Sequence, residues 1–174
     1  MRLTRRLRLA ALAVAGLVGA PACATGQFQF VADHRVHIRA PHQRSTVSLP
    51  VTVRWSYDDF KVTGPHTSGD SHAGYFAVFV DRTPVPAGKD LRWLARNDRS
   101  CRADDGCPNN EYFTTRQVFT STEPQMTFAQ LPKPGQHHGP ENHTITVVLL
   151  DGSGHRIGES AWYVDFKLRR DAKQ

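Results

Sequence analysis

NHTITVVLLDGSGHRIGESAWYVDFKL, residues 142–168, carries the clearest secondary-structure signal in the chain. Apolar residues recur at every second position on both sides of a glycine-rich turn, DGSG at 151–154, which is the period-two spacing of half-buried β-strands. The residues that share an apolar face are Ile145, Val147 and Leu149 before the turn, and Trp162, Val164, Phe166 and Leu168 after it. Burying one such side chain is worth roughly 1.5–3 kcal/mol, so the pattern predicts a β-hairpin.

Other segments show the same spacing. From 47 to 57 every odd position is apolar and every even one is Ser, Pro, Thr or Arg, which predicts one strand that is bent or at an edge near Pro50. YFAVFV at 75–80 is continuously apolar, which predicts a central strand covered on both faces. Further strands are predicted at 36–40, 117–120 and 125–131, while 91–95 fits either a short strand or a helical turn. We expect Trp55, Phe79 and Trp162 to face one common interior.

These elements predict an all-β fold: an antiparallel two-sheet sandwich of about seven strands, with long loops at 61–73, 91–116 and 132–142. The opening Ile38-Arg39-Ala40-Pro41, the strand from Val47 to Trp55 and the closing hairpin resemble bacterial immunoglobulin-like and fibronectin type III-like modules. The resemblance implies that a particular function resides in the loops.

The first 22 residues have a basic start, an apolar core and small residues at the end, as in an export signal. The segment Gly19 to Ala22 before Cys23 resembles the lipobox of bacterial lipoproteins, which implies a lipid on Cys23. Cleavage after Ala22 or Ala24 by the ordinary signal peptidase is the alternative. We therefore expect a signal peptide at 1–22, a tether at 23–35, the β-domain at 36–169 and a polar tail at 170–174, in a protein that is exported and is membrane-tethered or extracellular.

Charge and cysteines narrow the function classes. The formal net charge is +6. Four of the positive charges are arginines in the first 22 residues, so residues 23–174 carry a net charge of 6 − 4 = +2. A net charge of +2 does not indicate a nucleic-acid-binding protein. Cys101 and Cys107 are close enough in sequence to form a disulfide in an oxidising compartment, which leaves Cys23 as the odd cysteine.

Two kinds of metal site are conceivable, although we expect neither cofactor nor metal. His137, His138 and His143 fall within seven residues, and His66 and His72 share another loop; neutral imidazoles bind Zn²⁺ or Cu²⁺. Oxygen ligands suited to Ca²⁺ surround the cysteine pair: Asp98, Asp104, Asp105, Asn109, Asn110 and Glu111. Solvated loop side chains without a ligand role are the simpler interpretation of both groups.

No catalytic signature is present in the sequence: there is no G-x-S-x-G, no phosphate-binding loop, no H-E-x-x-H and no C-x-x-C. The aromatic residues Tyr57, Tyr75, Trp93 and Tyr112 could form an exposed platform, but aromatics in β-proteins more often fill the core, and Trp93 is the best exposed candidate. The leading hypothesis is a non-enzymatic binding module for an envelope or extracellular protein or glycan. The alternatives are a metal-handling protein or small enzyme that uses the histidine loops, and a structural spacer.

Overall fold

The computed structural model describes residues 34–133, 141–158 and 162–170. The described residues form nine β-strands, a 3₁₀-helix and two short α-helices. The strands are β1 (Val36–Ala40), β2 (Thr46–Val47), β3 (Val51–Tyr57), β4 (Lys61–Val62), β5 (Ala73–Val80), β6 (Val118–Ser121), β7 (Gln125–Phe128), β8 (Glu141–Asp151) and β9 (Trp162–Leu168). The 3₁₀-helix is Leu91–Ala95, and the α-helices are α1 (Arg99–Arg102) and α2 (Asn110–Thr115).

The strands form two sheets, and the all-β prediction is confirmed. One sheet has three strands in the order β1-β3-β7, with antiparallel pairing throughout. The other has six, in the order β2-β9-β8-β5-β4, with β6 also paired to β5. Its long strands are antiparallel, but β2 pairs with β9 and β4 with β5 in parallel. The expectation of purely antiparallel sheets is therefore wrong at these two-residue strands, which join the sheet at the ends of β9 and β5.

The predicted hairpin at 142–168 is confirmed as β8 and β9, with Ile145 opposite Val164 and Val147 opposite Trp162. Asp151 begins the turn: its carbonyl accepts from Gly154 N at 2.9 Å, and its amide donates to the His155 carbonyl at 2.9 Å. Among the described residues, β8 pairs with the returning chain at the bridge between Leu150 and Arg156 and again from the pair of Val147 and Trp162 onward.

One buried cluster lies between the two sheets. From the three-stranded sheet this cluster contains Val36, Val51, Val53, Trp55 and Phe128. From the six-stranded sheet it contains Phe76, Val78, Val80, Ile145, Val147, Leu149, Val164, Phe166 and Leu168. The rings of Trp55 and Phe76 meet edge to face with their centroids 5.3 Å apart. Both sheets thus bury their alternating apolar faces against each other, as their period-two patterns predict.

A second cluster covers the opposite face of the six-stranded sheet. It contains Tyr75, Ala77, Phe79, Val85, Leu91, Val118, Val148 and Leu150, with Trp93, Leu94 and Phe113 packed against it. The prediction that the strand at 75–80 is covered on both faces is confirmed. Phe79, however, belongs to this outer cluster and does not face the interior that contains Trp55. Successive residues of β5 point to opposite faces of the sheet. Because the run at 75–80 is apolar throughout, the sequence does not show which of its residues face which side. Trp162 is half-buried and packs against the inner cluster.

The predicted strand from 47 to 57 is two strands in different sheets. β2 pairs with β9 of the six-stranded sheet, while β3 pairs with β1 and β7 of the other. Pro50 lies between them and has no amide hydrogen for either ladder. The chain therefore changes sheets at the residue where pairing is interrupted.

The described residues do not include the segment 1–22, for which a signal peptide is predicted, nor Cys23, His137, His138 and residues 171–174. Across residues 34–133, 141–158 and 162–170, no helix is both long enough and apolar enough to cross a bilayer.

Candidate binding groove between the loops

Residues 84–116 cross the outer face of the six-stranded sheet. Each of the three helical turns in this segment begins at a polar side chain that accepts a hydrogen bond from a backbone amide. Asp90 accepts from Trp93 N at 3.2 Å, Asp98 from Cys101 N at 3.1 Å and Asn109 from Tyr112 N at 2.9 Å. Such caps satisfy amides that have no partner inside the helix, so the short helices have defined starting points.

Asp98 connects the start of α1 to Tyr112 in α2 and to Arg116. Its Oδ2 lies 2.9 Å from Arg116 Nη2 and 3.3 Å from Tyr112 Oη, while Oδ1 caps α1. The hydrogen bond from Cys101 N is the main reason that the pKa of Asp98 is lowered, and the Tyr112 hydroxyl and the Arg116 charge add to it. The Arg116 guanidinium also lies over the Tyr112 ring, 3.6 Å from its centroid. A single carboxylate therefore ties α1 to α2.

The cysteines of this segment are joined as predicted. Cys101 and Cys107 form a disulfide with a Cα–Cα distance of 5.1 Å, and Cys101 is buried. The bridge closes residues 101–107 into a small loop directly before α2, which limits how far this loop can move.

The loop at 61–73 packs against the turn of the β8–β9 hairpin. Thr67 N donates to the Gly152 carbonyl at 3.1 Å. Gly152 is required at this close approach, because a Cβ there would overlap Thr67 Oγ1 and lie 2.7 Å from the Ser68 carbonyl oxygen. Gly154 adopts φ +89°, and a Cβ on it would lie 3.1 Å from the Tyr75 hydroxyl oxygen. Glycines therefore allow loop, turn and strand to meet.

The loop at 61–73, the hairpin turn, β5, β6 and the segment at 84–116 line a cavity of about 340 Å³, which we call the loop groove. The residues that line it come from separate parts of the chain: Pro65 and His66; Tyr75; Asp90, Leu91 and Arg92; Pro108, Asn109, Asn110 and Phe113; Val118 and Thr120; Ser153 and Gly154. Two of the three long loops predicted from the sequence, 61–73 and 91–116, thus meet at one site, together with the hairpin turn.

The floor and the rim of the loop groove differ chemically. Tyr75 in the floor is 8% exposed, and its burial, helped by the nearby carboxylates of Asp151 and Asp90, raises the pKa of its hydroxyl. His66, Asn110 and Thr120 in the rim are exposed, and within the described part of the chain their side chains donate to or accept from no other protein group. The rim thus carries unpaired polar groups above a partly apolar floor.

The third predicted loop borders a different cavity. This second cavity has a volume of about 670 Å³. It lies between Pro132 and Lys133 on one side and Asp81 to Pro84 and Tyr163 on the other. Tyr163 is 58% exposed on the outer face of β9, and no sequence signal separated it from the other aromatics. The described ends of the third loop, Pro132, Lys133 and Asn142, therefore line a different cavity from the loop groove.

One of the predicted zinc or copper ligands, His143, lies against carboxylates of the protein. The His143 side chain is fully buried, with Nδ1 2.7 Å from Asp81 Oδ2 and Nε2 3.5 Å from Glu141 Oε2. Arg170 donates Nε to both carboxylate oxygens of Glu141, at 2.9 and 3.0 Å, and this pairing lowers the pKa of Glu141. His143 thus lies between the carboxylates of Asp81 and Glu141 at the start of β8, while His137 and His138 lie outside the described residues.

The calcium candidates around the disulfide are engaged locally. Asp98 and Asn109 cap helices, and Asp104 accepts from Gly106 N at 2.8 Å. Among residues 34–133, 141–158 and 162–170, no three His, Cys, Asp or Glu side chains are grouped as a metal site would require. The caps explain why polar residues cluster here, and an Asn or Asp directly before a helical turn is the sequence signal that identifies them.

The predicted exposed aromatic, Trp93, is half-buried. It packs against the outer cluster, and the Arg96 guanidinium lies 3.2 Å from its ring centroid. Comparison of the chain with family models, with curated proteins and with solved structures found no match.

Proposed function

We propose that this protein is a non-enzymatic, exported binding module. In this proposal an immunoglobulin-like sandwich carries the loops, a lipid on Cys23 tethers the chain to a membrane, and the loop groove recognises an envelope or extracellular partner. The observation that carries the proposal is the loop groove itself, which draws its lining from residues far apart in sequence.

The loop groove has the properties of a preformed site. Its backbone is restrained by the disulfide, by the caps of the helical turns and by the contact between Thr67 and Gly152. Restraint before binding reduces the ordering cost on association and so favours affinity. A volume of about 340 Å³ falls at the lower end of the range of small-ligand sites.

The sandwich and the export route are supported by separate features. Two sheets pack their apolar faces around Trp55 and Phe76, as immunoglobulin-like modules do. The two parallel edge strands are a departure from that pattern. The disulfide fits an oxidising compartment, which is where the signal at 1–22 would send the chain.

The metal-handling alternative is less well supported. It depends on His137, His138 and His143, and a metal ion at His143 Nδ1 would have to displace the Asp81 carboxylate, whose Oδ2 lies 2.7 Å away. A hydrogen bond to a carboxylate is stronger than one between neutral groups, so its loss would oppose metal binding, and the groove is the better candidate.

Site-specific photo-crosslinking in intact cells tests the partner proposal. A photoreactive residue at His66 or Asn110, both exposed at the groove, is expected to capture one recurring partner. The same residue at Arg54, exposed on β3 of the other sheet, is the matched control and is expected to capture none. Equal capture from all three positions would contradict recognition by the groove.

Mass spectrometry of the mature protein tests the tether. An acylated Cys23 at the new N-terminus is expected, and Cys23→Ser is expected to release the chain from membranes. An unmodified start at Cys23 or Thr25 would refute the lipid anchor while leaving the groove proposal intact.

A further inference from the structure

We infer that the loop groove binds a short neutral oligosaccharide. This inference rests on the binding function proposed above and names the chemical class of its ligand. It is carried by three properties of the lining: neutral polar groups at the rim, balanced charge, and an apolar wall.

The rim offers groups that both donate and accept hydrogen bonds. Asn110 has a carbonyl and an amide, Thr120 and Ser153 have hydroxyls, and His66 has one ring nitrogen of each kind when neutral. All four are exposed and, within the described residues, their side chains make no hydrogen bond to the protein. Sugar hydroxyls also donate and accept at once, so they match such a rim better than a group that can only donate or only accept.

The charges of the lining argue against an ionic ligand. Apart from His66, the lining contains one carboxylate, Asp90, and one guanidinium, Arg92. Their formal charges cancel, and one oxygen of Asp90 accepts from Trp93 N. An anion would meet Asp90 and a cation would meet Arg92, whereas a neutral ligand avoids the desolvation cost of burying an uncompensated charge.

The wall of the loop groove is apolar. Phe113 and Leu91 lie beside Val118, and all three belong to the outer cluster or pack against it. A pyranose ring has one face of C–H groups, and removing that face from water against a ring such as Phe113 is favourable. The arrangement of a hydrocarbon wall below a rim of hydroxyl and amide groups fits the two sides of a sugar.

The test uses the full-length chain and an array of neutral oligosaccharides that includes chitotriose, cellotriose, maltotriose and mannotriose, followed by calorimetry on those that bind. At least one saccharide is expected to bind. Asn110→Ala and Thr120→Val are each expected to weaken it by about threefold to tenfold, the effect of one hydrogen bond. Asn142→Ala is the matched control, because Asn142 is exposed on β8 at the other cavity, and unchanged affinity is expected there.

The remaining outcomes separate the two proposals. Saccharide binding that is unaffected by Asn110→Ala and Thr120→Val overturns the assignment to the loop groove. Failure of every saccharide, together with capture of a protein from His66 or Asn110 by crosslinking, overturns the saccharide inference and leaves the binding function standing. Failure of both experiments overturns both proposals.

Discussion

The two faces of the six-stranded sheet are buried in different ways. The inner face packs against a second sheet, through alternating aliphatic and aromatic side chains that are almost fully buried. The outer face is covered by residues 84–116, which contain little regular structure and are held by helix caps, one disulfide and the Asp98–Arg116 ion pair. Hydrophobic contact therefore stabilises the inner face, whereas directional polar contacts position the cover and, with it, one wall of the loop groove.

The largest expected effect compares two phenylalanines, Phe76 on the inner face of the sheet and Phe113 in the cover of its outer face. Phe76 is completely buried against Trp55 and Phe60, so Phe76→Ala is expected to cost about 3–5 kcal/mol of unfolding free energy. Phe113 is only half-buried in the cover, and Phe113→Ala should cost about 1–2 kcal/mol. Chemical denaturation of both variants measures the difference. Equal costs would break the distinction between the two faces.

An intermediate effect is expected from removing the disulfide. Cys101→Ala with Cys107→Ala should cost about 2 kcal/mol, because the loop that the bridge closes is short. Hydrogen exchange should become faster at residues 96–116 while β5 and β8 keep their protection. Cys23→Ala is the matched control and is expected to change neither quantity. Faster exchange throughout β5 would mean that the cover and the sheet unfold as one unit.

The smallest effect is a pH dependence at Asp98. Its pKa is lowered in the folded state from about 3.9 in the unfolded chain, so the carboxylate stabilises the fold above pH 4 and this contribution is lost as the pH falls through the folded pKa. Asp98→Asn keeps a capping oxygen but removes the charge. The variant is expected to be less stable than the wild type at pH 7, by a difference that shrinks as the pH falls through the folded pKa of Asp98.

Denaturation curves from pH 2 to 7 measure this dependence, with Asp105→Asn as the control, because Asp105 is an exposed carboxylate of the same segment. A difference between Asp98→Asn and the wild type that persists unchanged at pH 2 would show that its charge has no part in holding the cover.

The same contrast explains what could be predicted from the sequence. The strands β8 and β9 follow from apolar periodicity and β5 follows from its continuous apolar run, because both patterns report burial directly. The sequence does not show which residues of β5 face which side of the sheet, since all residues from Tyr75 to Val80 are apolar and Phe79 fits either face. Pro50 indicates an interruption, yet only the pairing of β2 with β9 reveals a change of sheet.

The loop groove was accessible from the sequence only as a set of long loops. The length of the segments at 61–73 and 91–116 predicts that function resides there, and both segments line the loop groove. The loop at 61–73 is held against the hairpin turn where Thr67 approaches the backbone of Gly152, and no periodic pattern encodes a contact between residues so far apart. The sequence presents Asn109 and Asp98 as calcium candidates because a polar cluster looks the same before its capping partners are known.

The position of Arg35 has a consequence for how a tethered molecule would face its surroundings. Its guanidinium donates to the Ser71 carbonyl at 2.7 Å, so the chain enters the β-domain beside the loop at 61–73, at the same end as the loop groove. If Cys23 carries the proposed lipid, the twelve Cα–Cα steps from Cys23 to Arg35 span at most about 40 Å. The proposed loop groove would then stay near the lipid surface, within reach of ligands displayed there.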